Sequence, residues 1–204
     1  MPARRRARLG GLAALLLALL QLLVGAGWRG GPPQCLAAAF PDWAECPAVC
    51  NCKWTSGKRS ALCNGKGLTS LPTLDPDMQI LDLSGNRIVE LQDSVFKTVK
   101  LLNLQKVFLR NSSLERVHQH AFIEMKGLVE VDLSDNGIAS LEPETFTGND
   151  RLRFIALSGN PIVKLSSQQF PKLPHLRVLE LRSCHLATIH RHAFRNVPFL
   201  EKIR

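Results

Sequence analysis

The stretch LVEVDLSDNGI at residues 128–138 returns 24 residues later as LRFIALSGNPI at 152–162, and 24 further on as LRVLELRSCHL at 176–186. Two earlier copies run Met78, Leu81, Leu83, Asn86, Ile88 and Leu104, Val107, Leu109, Ser112, Leu114, the first lengthened by two residues near Leu101 and Leu102. A second feature keeps the same period. Phe96, Phe122, Phe146, Phe170 and Phe194 each stand eight positions beyond the last apolar residue of a copy, and Pro174 repeats at Pro198. A fixed period between about 20 and 50 residues marks a stacked-repeat architecture, in which each unit buries its apolar face only against its neighbours.

The five copies match the leucine-rich-repeat template L-x-x-L-x-L-x-x-N/C-x-L. The expected fold is therefore α/β: a solenoid with a curved parallel β-sheet on its concave side and irregular or short helical connections on its convex side. Alternation within each Leu-x-Leu strand sends the leucines into the core and the residues between them to the opposite face. The Asn position closes the turn after each strand, offering donors and acceptors to backbone groups that would otherwise be buried unpaired. Ser112 and Cys184 are shorter substitutes there. The recurring Phe is expected to fill the outer side of each coil. That use accounts for five of the nine phenylalanines and leaves no basic, aromatic-interleaved stripe for nucleic acid.

Upstream, Arg4 to Arg8 and then the apolar run GLAALLLALLQLLV have the n-region and h-region of a secretory signal peptide. Cleavage fits best after Ala26, with Ala37 to Ala39 as second choice. The apolar run falls short of the roughly 20 residues a spanning helix requires. The expected organisation is a signal peptide at 1–26, a linker at 27–44, a Cys-rich cap at 45–74 and repeats over 75–204, five complete and a sixth cut short after Leu200 and Ile203. The whole sequence carries 26 Lys+Arg against 17 Asp+Glu, a formal charge of +9. Loss of the four leader arginines leaves 22 against 17, or +5. With 21% charged residues the chain is not a polytopic membrane protein.

Cys46, Cys50, Cys52 and Cys63 directly precede the first repeat. Four cysteines in an exported segment read as a two-disulfide staple that closes the exposed end of a solenoid, and three pairings are open. Neither the C-x-C spacing nor the leader suits structural zinc. Cys184 reads as a buried reduced thiol and Cys35 has no assigned partner. The pairs His118-x-His120 and His190-x-His192 stand three repeats apart, at least about 14 Å, too far to share one ion. They are read as polar positions, and neither a metal nor a cofactor is expected.

The segments CPAVCNCKWTSGKRSALCNGKGLTSLP (46–72), LDLSGN (81–86) and KLLNLQKVFL (100–109) resemble the N-terminal ectodomain of the Kekkon family, over roughly Cys46 to Arg204. The most specific matches are Cys52 to Trp54 and Leu101 to Gln105. The resemblance implies pairing of Cys46 with Cys52 and Cys50 with Cys63, the pattern of leucine-rich-repeat N-terminal caps. It also implies further repeats, a C-terminal cap, an immunoglobulin domain and one membrane helix downstream, so that this chain is expected to be truncated and prone to association at its last repeat. Membrane attachment would then come only from that downstream sequence.

Strand alternation assigns the concave surface to Ile80, Asp82 and Ser84; Lys106, Phe108 and Arg110; Glu130, Asp132 and Ser134; Phe154, Ala156 and Ser158; and Val178, Glu180 and Arg182. The candidate ligand-binding set is Lys106, Phe108, Arg110, Asp132, Phe154, Glu180 and Arg182. Phe108 and Phe154 are the candidate anchors, because no repeat rule requires them there. Asn111-Ser112-Ser113 is the one glycosylation sequon. The expected function is recognition of a protein ligand or receptor ectodomain by an extracellular or plasma-membrane protein delivered through the secretory pathway, in adhesion or in modulation of receptor signalling. The competing reading is a secreted matrix or glycosaminoglycan binder using Lys97, Lys100, Lys106 and Arg110. Phosphate-cradling glycine loops, H-E-x-x-H and G-x-S-x-G sequences are absent, and no catalytic residue is expected.

Overall fold

Each copy of the template becomes one coil and contributes one short strand to a parallel sheet. The computed structural model describes residues 46–204, so the signal peptide, the linker and Cys35 lie outside the described residues. A hairpin of β1 (Asn51–Thr55) and β2 (Lys58–Leu62) starts the long sheet. Its two-residue loop, Ser56 (φ 50°) and Gly57 (φ 73°), has both central residues left-handed, the turn that best matches strand twist.

Six parallel strands follow: β3 (Ile80–Asp82), β5 (Lys106–Phe108), β7 (Glu130–Asp132), β8 (Phe154–Ala156), β10 (Val178–Glu180) and β12 (Lys202–Ile203). Register reproduces the sequence period. Ala61 pairs with Leu81, Leu81 with Val107, Val107 with Val131, Val131 with Ile155, Ile155 with Leu179 and Leu179 with Ile203. Through Leu179 these central residues are wholly buried, as are Leu83, Leu109 and Leu133. Burial thins at the last coil, where Phe199 and Ile203 are 61% and 53% exposed.

Opposite the sheet the chain forms turns and two small parallel pairs: β4 (Glu90–Leu91) with β6 (Arg116–Val117), and β9 (Lys164–Leu165) with β11 (Thr188–Ile189). Among the described residues one helix, α1 (Val95–Thr98), spans four residues, and its N-cap Ser94 is left-handed and makes no side-chain cap bond. The phenylalanine column runs along this side. Phe96 stacks on Phe122 and Phe122 on Phe146, both at 5.4 Å, and Phe170 on Phe194 at 6.0 Å. The first four are at most 1% exposed, which is where the repeat rule puts them.

The asparagine column stitches coils together between sheet and convex side. Asn86 donates from Nδ2 to the Cys63 and Leu83 carbonyls and accepts at Oδ1 from the Lys66 and Leu68 N–H groups. Asn136 and Asn160 bridge in the same way. Where Ser112 stands instead, its hydroxyl still donates to the Leu83 carbonyl, at 3.0 Å, and the Cys184 thiol donates to the Leu157 carbonyl at 3.4 Å. The substitutes keep the donor and lose the acceptor. The residue before this column is left-handed in all five coils: Gly85 (φ 71°), Asn111 (51°), Asp135 (55°), Gly159 (71°) and Ser183 (52°). Only at Gly159 is the position also crowded, since an added Cβ would lie 2.3 Å from Asp135 Oδ1.

The cap is stapled by Cys46–Cys52 and Cys50–Cys63, the pairing the family resemblance implies. The second bond ties the cap to the buried Cys63 at the head of the core. Covering a solenoid end with so short a segment requires such a restraint on the unfolded chain.

Candidate protein-binding face

Three rows of side chains cross the exposed face of the long sheet. The first, at the strand entry, reads Ile80, Lys106, Glu130, Phe154, Val178, Lys202. The second reads Leu62, Asp82, Phe108, Asp132, Ala156, Glu180. The third, in the turns beyond, holds Ser84, Arg110, Ser134, Ser158 and Arg182. Ile80, Ser134 and Ala156 are buried, at 8%, 8% and 2%, so the surface that a partner could touch is narrower than the alternation rule allows.

Phe108 and Phe154 are both half-buried. Phe108 stands between Asp82 and Asp132, and Phe154 between Glu130 and Val178, two strands away and in a different row. Two strand spacings separate them by about 10 Å. A single protein loop spans that distance, whereas the two rings do not form one pocket.

The charges of the candidate set are largely satisfied within the face. Lys106 Nζ lies 2.6 Å from Glu130 Oε2, Arg110 Nε 2.7 Å from Asp135 Oδ2, and Glu180 Oε1 accepts from Arg204 at 3.2 Å. Asp82 and Asp132 turn inward along the chain, each accepting at Oδ1 from the N–H two residues on, in Ser84 and Ser134. Such exposed pairs are worth only ~0–1 kcal/mol, so a partner can replace them at little cost. Arg182 is exposed and makes no ion pair among the described residues.

Asn111 is exposed, in the left-handed turn immediately after Arg110, while Ser112 beside it is wholly buried. The sequon therefore presents its acceptor amide and Ser113 to solvent. Material secreted from animal cells should carry one glycan here. A mobility shift removed by peptide N-glycosidase F and absent in Ser113→Ala is the expected result, and an unshifted wild-type band would contradict it.

Sequence reasoning missed an open groove of about 690 Å³ at the entry edge of the strands, lined among others by Trp54, Arg59, Gln79, Gln105, Lys126 and Arg151. The cap hairpin builds one wall of it. Trp54 is 40% exposed with the Arg59 guanidinium 6.0 Å from its ring centroid. The one available signal was a tryptophan in a short hairpin strand, where alternation cannot say which face is solvated. Cys184 is half-buried, and burial pushes its thiol above the ordinary value, with an opposing contribution from the Asn160 backbone. A thiol so placed is a poor nucleophile.

Residues 102–162 match the family model described as leucine rich repeat. Over 120 residues the chain is 33% identical to reticulon-4 receptor-like 2 of Rattus norvegicus, covering 58% of this chain and 27% of that protein. It is 34% identical over 113 residues to trophoblast glycoprotein of Macaca fascicularis, covering 54% and 26%. The chain thus spans about a quarter of the length of these relatives. Among solved structures it resembles human 5T4 (Wnt-activated inhibitory factor 1, trophoblast glycoprotein), with a TM-score of 0.56 and 26% identity over 78% of this chain and 70% of that one. These likenesses are to leucine-rich-repeat proteins, one of them named as receptor-like. They support the wide extracellular grouping and do not single out a Kekkon-like one.

Proposed function

We propose that this chain is the ligand-recognition part of an extracellular or cell-surface protein, and that it captures a protein partner on the exposed face of its long sheet. The observation that carries this reading is the pair of half-buried phenylalanines, Phe108 and Phe154, standing among charged side chains on a face whose repeat template demands neither. Partly buried aromatics with two χ angles give large contact area for little ordering cost, which is why they anchor interfaces.

The glycosaminoglycan reading is weaker on charge. Of its four basic residues, Lys97 lies 2.5 Å from Glu124, Lys106 is paired with Glu130 and Arg110 with Asp135. A polyanion would meet these carboxylates along with the cations. The narrower proposal of a Kekkon-like adhesion or growth-factor-receptor modulator rests on the cap and first-repeat motifs, and transcript sequence encoding an immunoglobulin domain and membrane helix would support it.

The test is capture from an array of receptor ectodomains by the secreted chain. Phe108→Asp and Phe154→Asp should each weaken capture at least tenfold without reducing secretion, while Arg195→Asp on the convex side leaves it unchanged. Full capture by both sheet-face variants would overturn the proposal. Retention on heparin that falls steeply between low and moderate salt, with no ectodomain captured, would favour the second reading.

A further inference from the structure

The two His-x-His pairs stand too far apart to share an ion. In the fold, one of them meets a third ligand from the preceding coil. Asp93 Oδ1 lies 3.6 Å from His118 Nδ1 and 3.6 Å from His120 Nδ1, and the three ligand atoms all fall within 4.8 Å of one another. Atoms bound to zinc at about 2.0–2.2 Å stand roughly 3.3–3.5 Å apart around a tetrahedron, so the two 3.6 Å distances need only a small contraction, and rotation of the exposed imidazoles supplies the rest. We propose that Asp93, His118 and His120 form a surface site for Zn²⁺ or a similar divalent transition ion, with solvent completing the coordination and the metal joining the first coil to the second.

The backbone holds this arrangement from both sides. His118 N–H donates to the Leu91 carbonyl at 2.9 Å, and Ser94 N–H to the His120 carbonyl at 3.3 Å. The Ser94 hydroxyl donates to Asp93 Oδ1 at 3.2 Å, a contact of the kind that fixes a ligating carboxylate. One competing interaction exists: His120 N–H donates to His118 Nδ1, at 3.3 Å. That is a long bond to an exposed group, and its loss leaves an amide that water can reach. An adjoining groove of about 380 Å³ is lined by Glu90, Glu115 and Glu142 beside His118, with Arg116 opposing, and this acidic excess favours a cation.

The chain contains its own control. His190 and His192 repeat the arrangement closely: His192 N–H donates to His190 Nδ1 at 3.2 Å, His190 N–H to the Leu165 carbonyl, and Gln168 N–H to the His192 carbonyl. Gln168 thus corresponds to Ser94, and Ser167 stands where Asp93 does. The second pair therefore has two imidazoles and no carboxylate.

The experiment is calorimetric titration of the tag-free, EDTA-stripped secreted chain with zinc chloride, paired with its melting temperature in EDTA and in zinc. One saturable equivalent is expected, with a melting temperature that rises with zinc because the ion binds only the folded arrangement. Asp93→Asn and His120→Ala should each weaken binding by at least about tenfold, the loss that even an outer-shell partner causes, and abolish the zinc-dependent rise. Because both side chains are substantially exposed, the variants should melt like wild type in EDTA. The double variant His190→Ala, His192→Ala should bind zinc as wild type does. No saturable zinc binding by wild type, undiminished binding by Asp93→Asn, or loss of binding in the His190/His192 variant would each overturn the proposal.

Discussion

Asn136→Ala is expected to lower the unfolding free energy by about 3–5 kcal/mol, a large part of the ~5–15 kcal/mol typical of a domain. Asn136 Oδ1 accepts from the Ser112 and Leu114 N–H groups at 2.8 and 3.0 Å, while Nδ2 donates to the Leu109 and Leu133 carbonyls at 2.8 and 2.9 Å. Alanine deletes all of these at once. The residue is 9% exposed, so water replaces few of them, and each stranded backbone group costs about 1–3 kcal/mol before relaxation. Since these bonds link two coils, the loss also weakens nearest-neighbour coupling, on which a solenoid depends. Ser112→Ala is the comparison. It removes one hydroxyl bond to Leu83 and should cost about 1 kcal/mol. Urea denaturation of the two variants measures the difference, and equal midpoints would contradict the assignment.

Phe122→Ala should cost about 3–5 kcal/mol by a different route. Phe122 is wholly buried and stacked on Phe96 and Phe146 at 5.4 Å each, so truncation opens a cavity in the middle of the column and removes two ring contacts. The collapse that could shrink the cavity is opposed by coils fixed on both sides. Phe194→Ala should be much milder, because Phe194 is half-buried and stacks on Phe170 at 6.0 Å. Thermal melts of both variants check this. A Phe122 variant as stable as the Phe194 one would mean the column is not the continuous core described.

The repeat made much of this fold legible. A 24-residue period fixes register directly, because equivalent residues must stack: Leu81, Val107, Val131, Ile155 and Leu179 all lie in one buried line. Extra residues near Leu101 and Leu102 did not disturb it, being absorbed in the connection before β5. The Asn position was also readable as the turn after each strand, whereas the left-handed residue before it emerged only in the fold. The face itself was less so. Alternation says which side a residue points to but not how deeply neighbours cover it, hence Ile80, Ser134 and Ala156 are buried members of a nominally open surface.

Ion pairs across the face were only partly legible. Lys106 with Glu130 follows from strand register, but Arg110 with Asp135 depends on how a turn residue reaches sideways. The Asp93, His118, His120 cluster was missed for a related reason. Sequence comparison set equivalent positions of the coils against each other, whereas Asp93 is offset by one residue from the equivalents of His118 and His120, which are Gln92 and Ser94. Convex-side stitching by Asn149, which donates to the Phe122 and Met125 carbonyls, likewise obeys no strict period.

The central functional claim is that partners meet the sheet and not the convex side, and photo-cross-linking tests it most directly. With a photoreactive amino acid placed at position 108, 154 or 195 of the secreted chain and a captured ectodomain bound, the account predicts covalent adducts from 108 and 154 and none from 195. Adducts from position 195 alone would contradict it.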